Sequence, residues 1–521
     1  MEKFKLSENI DPNKIFIVNR SELEGRLDPF FYKSEYSKLE KKIKKSKYKK
    51  KLLKELIYKV INGLDFRDYD IKGGIPYIKV ANIKKGFFDF SNLQYITPDI
   101  IKLSKDIQLK KGNLLLTRKG TFGNALCLED DYNYIISSEV FYLKVKQSIV
   151  LSKYLEIYFN SNIGQKFFKK ISIGAIMGSL SQEAIKSIKV PLPPLEIQKQ
   201  IVDLYEKAYT EKQQKEAEAQ RLLDSIDDYL LGELGITLPK EEECLQQTTN
   251  KHNSYNLDND NPLVKKGRLF LTNLSEITGK RIDPKGYDIK TKLLKSSIDN
   301  IDLKKFIILP LKSFIIQSIA GNWGIDENEE IDENEEYQKC LVIRATEFDN
   351  QYNLNLDNSR VKYRLIKKSI LSKIDLKEND LLIEKSGGSP DQPVGRIAII
   401  TQNIIKDNVL CYSNFIHKIR VDNKKINPEY LFCFLKMVHN IRLTEAMQSQ
   451  TNGIRNLIMN SYLNQNIVIP ISENGRIDIQ KQTEIANRII AIRAKAKKLQ
   501  LDAINILETA KRDIEQMILG D

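Results

Sequence analysis

The chain has 521 residues, of which 41% are hydrophobic, so it can build sizeable cores and is not a disordered polymer. Lysine and arginine number 83 against 69 aspartate and glutamate, a net charge of +14 that favours a polyanionic partner, nucleic acid first. No run of about 18 apolar residues occurs, which argues against a membrane span.

Residues 1–13 read as a loose tail, and residues 14–30 open a first module. A helix is predicted over 33–54, with ten lysines between Lys38 and Lys54 and Leu39, Ile43 and Leu53 on its inner face. Its lysine face suits either phosphate contact or plain solvation. Strands follow at 77–80, at 114–118 after the turn Lys111-Gly112-Asn113, at 125–128 after a Gly-rich loop, and at 141–145. Ser152 can cap a helix running to Phe168. Val190-Pro191-Leu192-Pro193-Pro194 is a stop, and a long helix over about 195–232 would extend roughly 55 Å.

Residues 236–265 are polar and turn-rich and read as a linker. A second module then repeats the pattern, with strands at 340–345, 380–384, 396–400 and 415–421 and a helix opened by Asn427 and Pro428. Its acidic segment 326–336, DENEEIDENEE, has no counterpart in the first module and is expected to be a mobile loop turned away from any polyanion. After Ile469-Pro470 a second long helix is predicted over about 478–518. Its apolar positions Ile485, Ile489, Ile492, Ala496, Leu499, Ala503, Ile506 and Ala510 alternate steps of four and three, a coiled-coil seam. The first long helix offers Ile197, Ile201, Leu204, Ala208, Leu222, Ile226 and Tyr229. Neither stripe can be buried alone. The two helices are expected to pack antiparallel, with a module at each end; a seam with a separate chain is the alternative.

The repeat is explicit. Phe16, Asn19, Ser21, Glu22, Gly25, Arg26, Asp28 and Pro29 recur as Phe270, Asn273, Ser275, Glu276, Gly279, Arg281, Asp283 and Pro284. Further pairs are Gly63/Gly321, Lys79/Arg344, Asn113/Asp380 and Pro191/Pro470, and Ile197-Gln198-Lys199-Gln200 returns as Ile479-Gln480-Lys481-Gln482. Such a long period is a duplicated domain. One scaffold with different loops suggests the same job done on two different targets.

Catalytic patterns are not legible. The five cysteines, Cys127, Cys244, Cys340, Cys411 and Cys433, never form CxxC, and only His252, His417 and His439 accompany them. This argues against a disulfide framework and a metal site, and fits a reducing cytoplasm. The start, Met1 to Ile10, has no apolar signal region. Asn427-Pro428-Glu429-Tyr430 resembles the NPPY motif of adenine methyltransferases, but Glu stands at its third place, and a helix cap explains it better. The loops Lys119-Gly120-Thr121-Phe122-Gly123 and Ser386-Gly387-Gly388-Ser389 lack the P-loop pattern. They suit either close approach to a phosphate backbone or simple strand connections. Basic and polar residues recur near equivalent strand ends: Lys79 with Arg344, Arg118 with Lys385, and Asn82, Lys84, Lys119, Thr121, Thr346, Ser386 and Arg396 nearby. These are candidate DNA contacts, since such side chains donate to base edges or phosphates. Ordinary surface ion pairs are the bland reading.

The ordered plan of variable module, proline stop, long helix, variable module and second long helix resembles the specificity subunit of type I restriction–modification systems. Local echoes are GGIPYIKVANI at 73–83, LKKGNLLLTRKG at 109–120, PLPPLEIQKQI at 191–201 and NPEYLFCFL at 427–435. Ile469-Pro470-Ile471-Ser472 departs from the family's proline-rich stop and can shift the start of the second helix. The resemblance implies an α+β chain: two mixed α/β target-recognition domains (14–190 and 266–470) joined by two long antiparallel coiled-coil helices (191–235 and 476–519), with a linker at 236–265. It implies a non-catalytic subunit whose domains each read half of a bipartite double-stranded DNA site. The helices would set the gap and dock two methyltransferase subunits, with restriction subunits joining outside. S-adenosylmethionine, Mg and ATP are expected only on those partners. A self-sufficient methyltransferase or nuclease, and a protein-binding scaffold, are the alternatives.

Overall fold

The computed structural model describes residues 10–11, 14–23, 27–67, 73–98, 107–172, 178–240, 242, 244, 261–265, 269–277, 282–329, 334–349, 353–358, 360–389, 392–406, 408–451 and 453–520. Most of the expected tail, the greater part of the linker, residues 330–333 of the acidic segment, and Gly25, Arg26, Gly279 and Arg281 lie outside them. The chain divides into two compact units, one of residues 1–217 with 499–521 and the other of residues 218–498.

The first unit is built on a four-stranded antiparallel sheet in the order Ile57–Asn62, Val140–Val145, Leu114–Thr117, Ala125–Cys127. Leu114, Leu115 and Leu116 are all fully buried. Leu114 and Leu116 join Phe141, Leu143 and Tyr154 on one face, while Leu115 joins Ile78, Leu126 and Tyr142 on the other. Burial on both faces explains an uninterrupted apolar run where a half-exposed strand would alternate. A second, mixed sheet has the order Gln94–Ile96, Ile75–Ile78, Ile135–Ile136.

The second unit repeats this. Its four-stranded sheet runs Ile315–Ala320, Ile416–Val421, Leu381–Glu384, Ile397–Ile399, and its mixed sheet runs Lys362–Lys367, Tyr337–Ile343, Leu410–Tyr412. Strand order, direction and pairing match the first unit element by element. The paired Asp-Pro signature also recurs: Asp28 and Asp283 each cap a short 3-10 turn begun by Pro29 and Pro284.

Three expectations are corrected. The lysine-rich helix ends at Lys45, not near 54. Lys49–Leu52 is instead a strand paired with Lys189–Leu192, and a short helix, Leu53–Leu56, follows. The proline stop is therefore half of a two-stranded ladder, mirrored by Phe306–Pro310 with Asn466–Pro470 in the second unit. The helix predicted over 152–168 breaks at Ser161, whose Oγ accepts the Gly164 N–H at 3.2 Å and starts a new helix, Asn162–Ile171. Finally, the repeat register shifts by two residues at each end of the second stop. The Tyr154 hydroxyl donates to the Pro191 carbonyl at 2.6 Å, and its counterpart Tyr430 donates to Val468, not Pro470, at 2.6 Å. A turn closed by the Ile471–Ile477 bridge then delays the helix.

The long helices run Leu195–Leu234 and Ile479–Leu519. Ile201, Ile226, Ile485 and Ile489 are buried, and Ile197, Leu204, Leu222, Ile492, Leu499 and Ile506 are half-buried. In the first unit Ile197, Ile201 and Leu204 join Ile514, Ile518 and Leu519 in the main core. In the second unit Lys481 pairs with Glu233 at 3.0 Å and Lys495 with Glu218 at 3.2 Å, so the two helices run antiparallel there. No described helix is long and apolar enough to cross a membrane.

Each long helix is keyed to its module by one buried glutamine. Gln198 Oε1 accepts the Leu151 N–H at 2.9 Å, and its Nε2 donates to the Pro193 carbonyl at 2.9 Å. Gln482 Oε1 accepts the Asn427 N–H at 2.8 Å. Leu151 and Asn427 both stand at the N-cap of the helix that packs on the sheet. Asn427 caps as expected, its Oδ1 accepting from the Glu429 and Tyr430 N–H groups. In space Gln198 thus corresponds to Gln482, two residues beyond the tetrapeptide match.

Candidate nucleic-acid interface

In both units the central strand of the mixed sheet ends in a cation. Lys79 follows Ile75–Ile78, and Arg344 follows Tyr337–Ile343. A 3-10 turn comes next, Val80–Asn82 or Ala345–Glu347. The last residue of each turn is buried and reaches back: Asn82 Oδ1 accepts the Lys79 N–H at 3.0 Å, and Glu347 Oε2 accepts the Arg344 N–H at 2.7 Å. These reciprocal bonds hold the cation at the strand end.

A second cation is brought beside the first by one crossing. The Arg118 N–H donates to the Glu139 carbonyl at 2.9 Å, and the Lys385 N–H donates to Phe415 at 2.7 Å. The same turn takes Ser137 N–H to the Ile78 carbonyl and Ser413 N–H to the Ile343 carbonyl, both at 2.9 Å. Sequence pairs Lys79/Arg344 and Arg118/Lys385 therefore occupy equivalent positions. Gly63 and Gly321 make the crossing possible, because a Cβ on either would lie 2.2 Å from a backbone carbonyl oxygen.

The surroundings of these cations differ between the units. Arg118 lies over the Phe141 ring, 4.9 Å from its centroid, and its Nη1 donates to the Ser138 carbonyl at 3.4 Å. The position of Phe141 is taken by His417, whose Nε2 is 2.7 Å from Ser318 Oγ. Burial, and then the charge of Lys385, push His417 down to about 4, so its ring is neutral at pH 7. Lys79 sits over Tyr77, whereas Arg344 is ion-paired with Glu347 at 2.7 Å and donates to the Arg360 carbonyl at 2.6 Å.

Other candidates are engaged within the fold. Lys84 pairs with Asp89 at 3.4 Å, Asn82 Nδ2 donates to the Asp89 carbonyl, Thr346 donates to Glu347, and Ser386 donates to Asn456. Arg396 grips Glu384 through two nitrogens and donates to the Ala345 and Phe348 carbonyls. It ties the 3-10 turn to the four-stranded sheet. Asn124 makes the equivalent tie in the first unit, where its Nδ2 donates to the Ile83 carbonyl and its N–H to Thr117 Oγ1. Sequence reading missed this tie, although Thr117 and Glu384 are separated by the same offset as Asn113 and Asp380. Lys119 and Thr121 are exposed on the Gly-rich loop. Gly120, Gly387 and Gly388 have φ of +63°, +132° and +71°, so turn geometry accounts for glycine there.

Among the described residues no group of three or more His, Cys, Asp or Glu is placed to hold a metal ion. The five cysteines form no disulfide. Burial pushes the thiols of Cys127 and Cys433 up to about 12, which makes them poor nucleophiles at neutral pH.

The type I restriction modification DNA specificity domain matches residues 45–221. Over this segment, about a third of its length, the chain is similar to the type I specificity family. The chain is 29% identical over 140 residues to the specificity subunit of the type I restriction enzyme EcoBI of Escherichia coli. It is 28% identical over 152 residues to the MjaVIII specificity subunit of Methanocaldococcus jannaschii. These alignments take in 27% and 28% of this chain, and the chain spans only 30% and 35% of those relatives' lengths. It is also similar to the type I restriction–modification S subunit structure from M. genitalium, at 11% identity and a TM-score of 0.40, over 91% of this chain and 96% of that one. The matched specificity domain contains Lys79, Asn82, Arg118 and the first part of the leading long helix.

Proposed function

We propose that the chain is the DNA-reading subunit of a type I restriction–modification complex, each unit reading one half of a bipartite duplex site. The observation that carries this reading is the duplicated pair of cations at equivalent strand ends, set among different neighbours in the two units. Equivalent scaffolds hold Lys79 and Arg118, or Arg344 and Lys385, in the same place, so phosphate positioning can be shared. Arg118 on Phe141 and Lys385 beside neutral His417 present different donors, so the bases favoured can differ. A two-part site that is not palindromic follows. The long helices would set the gap and dock two methyltransferase subunits, with restriction subunits outside them. S-adenosylmethionine, Mg and ATP would belong to those partners, and the complex would work in the cytoplasm.

Co-expression with methyltransferase subunits, followed by mapping of methylated adenines, tests the reading. Exchange of residues 14–190 for another module should change one half of the methylated site and leave the other intact. A change in both halves sinks the modular reading. Stoichiometric S-adenosylmethionine binding by the purified chain would support a self-sufficient methyltransferase. Absence of salt-sensitive DNA binding would support a protein scaffold instead.

A further inference from the structure

The second unit carries a hairpin, Gln448–Thr451 with Ile454–Leu457, whose second strand pairs with Ser386–Gly387 of the Gly-rich loop. The Leu457 N–H also donates to the Lys385 carbonyl at 2.7 Å. The hairpin is thereby locked to the candidate interface. Behind it lies an open groove of about 470 Å³, lined by Lys285, Asp288, Lys290, Arg442, Glu445 and Arg455 among others.

The charges in this groove do not cancel. Glu445 meets Lys285 at 3.1 Å and also pairs with Arg442, and Asp288 meets Lys285 at 3.6 Å. Burial alone would raise the Glu445 carboxyl, but its bonds to Lys285 and Arg442 hold it below the usual range, so it is ionised. Both carboxylates are thus occupied by Lys285 and Arg442. Lys290 is exposed, and Arg455 bonds through Nη1 to the Ser389 carbonyl, a neutral acceptor. Two positive charges therefore face the groove in excess of its two anions.

We propose that this groove seats the phosphodiester backbone of one DNA strand next to the half-site read by the second unit, with Lys290 and Arg455 as its phosphate contacts. The inference rests on the proposed DNA-reading function. Arg455 would couple the backbone contact to the loop carrying Lys385, because one side chain spans the hairpin and Ser389. The neutral Ser389 carbonyl engages Arg455 through Nη1 and puts no negative charge against the guanidinium, which keeps its charge for an anion.

The test uses the full-length chain and a duplex with the mapped bipartite site, titrated over a range of salt concentrations. For Lys290→Gln and Arg455→Gln, the slope of log affinity against log salt should flatten by about 0.9 for each phosphate no longer neutralised. Arg455→Lys should recover most of that slope, and thermal unfolding of all variants should match the parent. The preferred sequence of the other half-site should not change. An unchanged slope in both glutamine variants, with the parent still bound in a salt-dependent way, overturns the groove and leaves the general reading intact. Failure of the parent itself to bind duplex DNA overturns both. Saturable binding of inorganic phosphate that both variants lose, with unchanged DNA slopes, would make this a small-anion site and also overturn the proposal.

Discussion

Gly63 and Gly321 show how single residues decide the crossing that creates the interface. Each lies against two carbonyl oxygens, of Ile136 and Ser137 or of Tyr412 and Ser413. Backbone cannot yield as a flexible side chain can. Gly63→Ala and Gly321→Ala should each destabilise the unit that contains it by roughly 3 kcal/mol or more, read as a lowered unfolding midpoint. A loss under about 0.5 kcal/mol would show that the close approach is not rigid. The buried glutamines act through unmet hydrogen bonds. Gln482→Ala strands the Asn427 N–H and should destabilise the second unit by about 1–3 kcal/mol in chemical denaturation. Gln480→Ala should do little, because Gln482 is the residue that reaches the cap. The reverse ranking would restore the tetrapeptide register.

At the level of elements, the helix Pro428–Asn440 buries a neutral histidine and the strand Ile416–Val421 carries a half-buried one. His439 is pushed down to about 4, chiefly by burial, and its Nε2 bonds to the Pro393 carbonyl at 3.1 Å. His417 is pushed down to about 4 as well. An unfolded histidine titrates near 6.5, so between about pH 6.5 and 4 the unfolded chain binds more protons than the folded one. The histidine contribution is therefore complete above about pH 6.5 and declines as pH falls toward 4. For His439 the loss is on the order of 2–3 kcal/mol. The first unit contains no histidine. Unfolding midpoints followed from pH 7 to 4 should fall less steeply in the second unit of His439→Gln than in the parent. Equal slopes would mean that the ring is protonated in the fold. The acidic segment is also legible at this scale. Its described ends pair with the basic strand Lys362–Lys367 and the first residue of the helix after it, Asp326 with Arg364 at 2.5 Å, Glu335 with Lys367 at 3.2 Å and Glu336 with Lys368 at 2.8 Å.

For the whole molecule, the proposed spacing role makes a geometric prediction. One heptad added to each long helix keeps the seam in phase and lengthens the pair by about 10 Å. The gap between methylated half-sites should grow by about three base pairs, with both half-sequences retained. Mapping of methylated adenines would show it, and an unchanged gap would remove the helices from any spacing role.

Much of this was visible in the chain itself. Duplication, mixed modules and two long helices follow from local signals: an apolar run bounded by turns, a four-three stripe, and Asn or Asp before Pro. Such signals act over a few residues and need no partner. The equivalence of Lys79 with Arg344 and of Arg118 with Lys385 was legible because a strand end holds a fixed place in its sheet. Other features depended on residues far apart in sequence meeting in space. Lys49–Leu52 is a strand because Lys189–Leu192 pairs with it, and Arg396 and Asn124 are ties because the 3-10 turn folds back onto the sheet. The groove of Lys290 and Arg455 exists only once the hairpin docks on the Gly-rich loop. Periodicity and caps are properties of neighbours along the backbone. Ladder partners, buried bonds and the balance of charge in a groove are set by distance in space, so only the folded chain decides them.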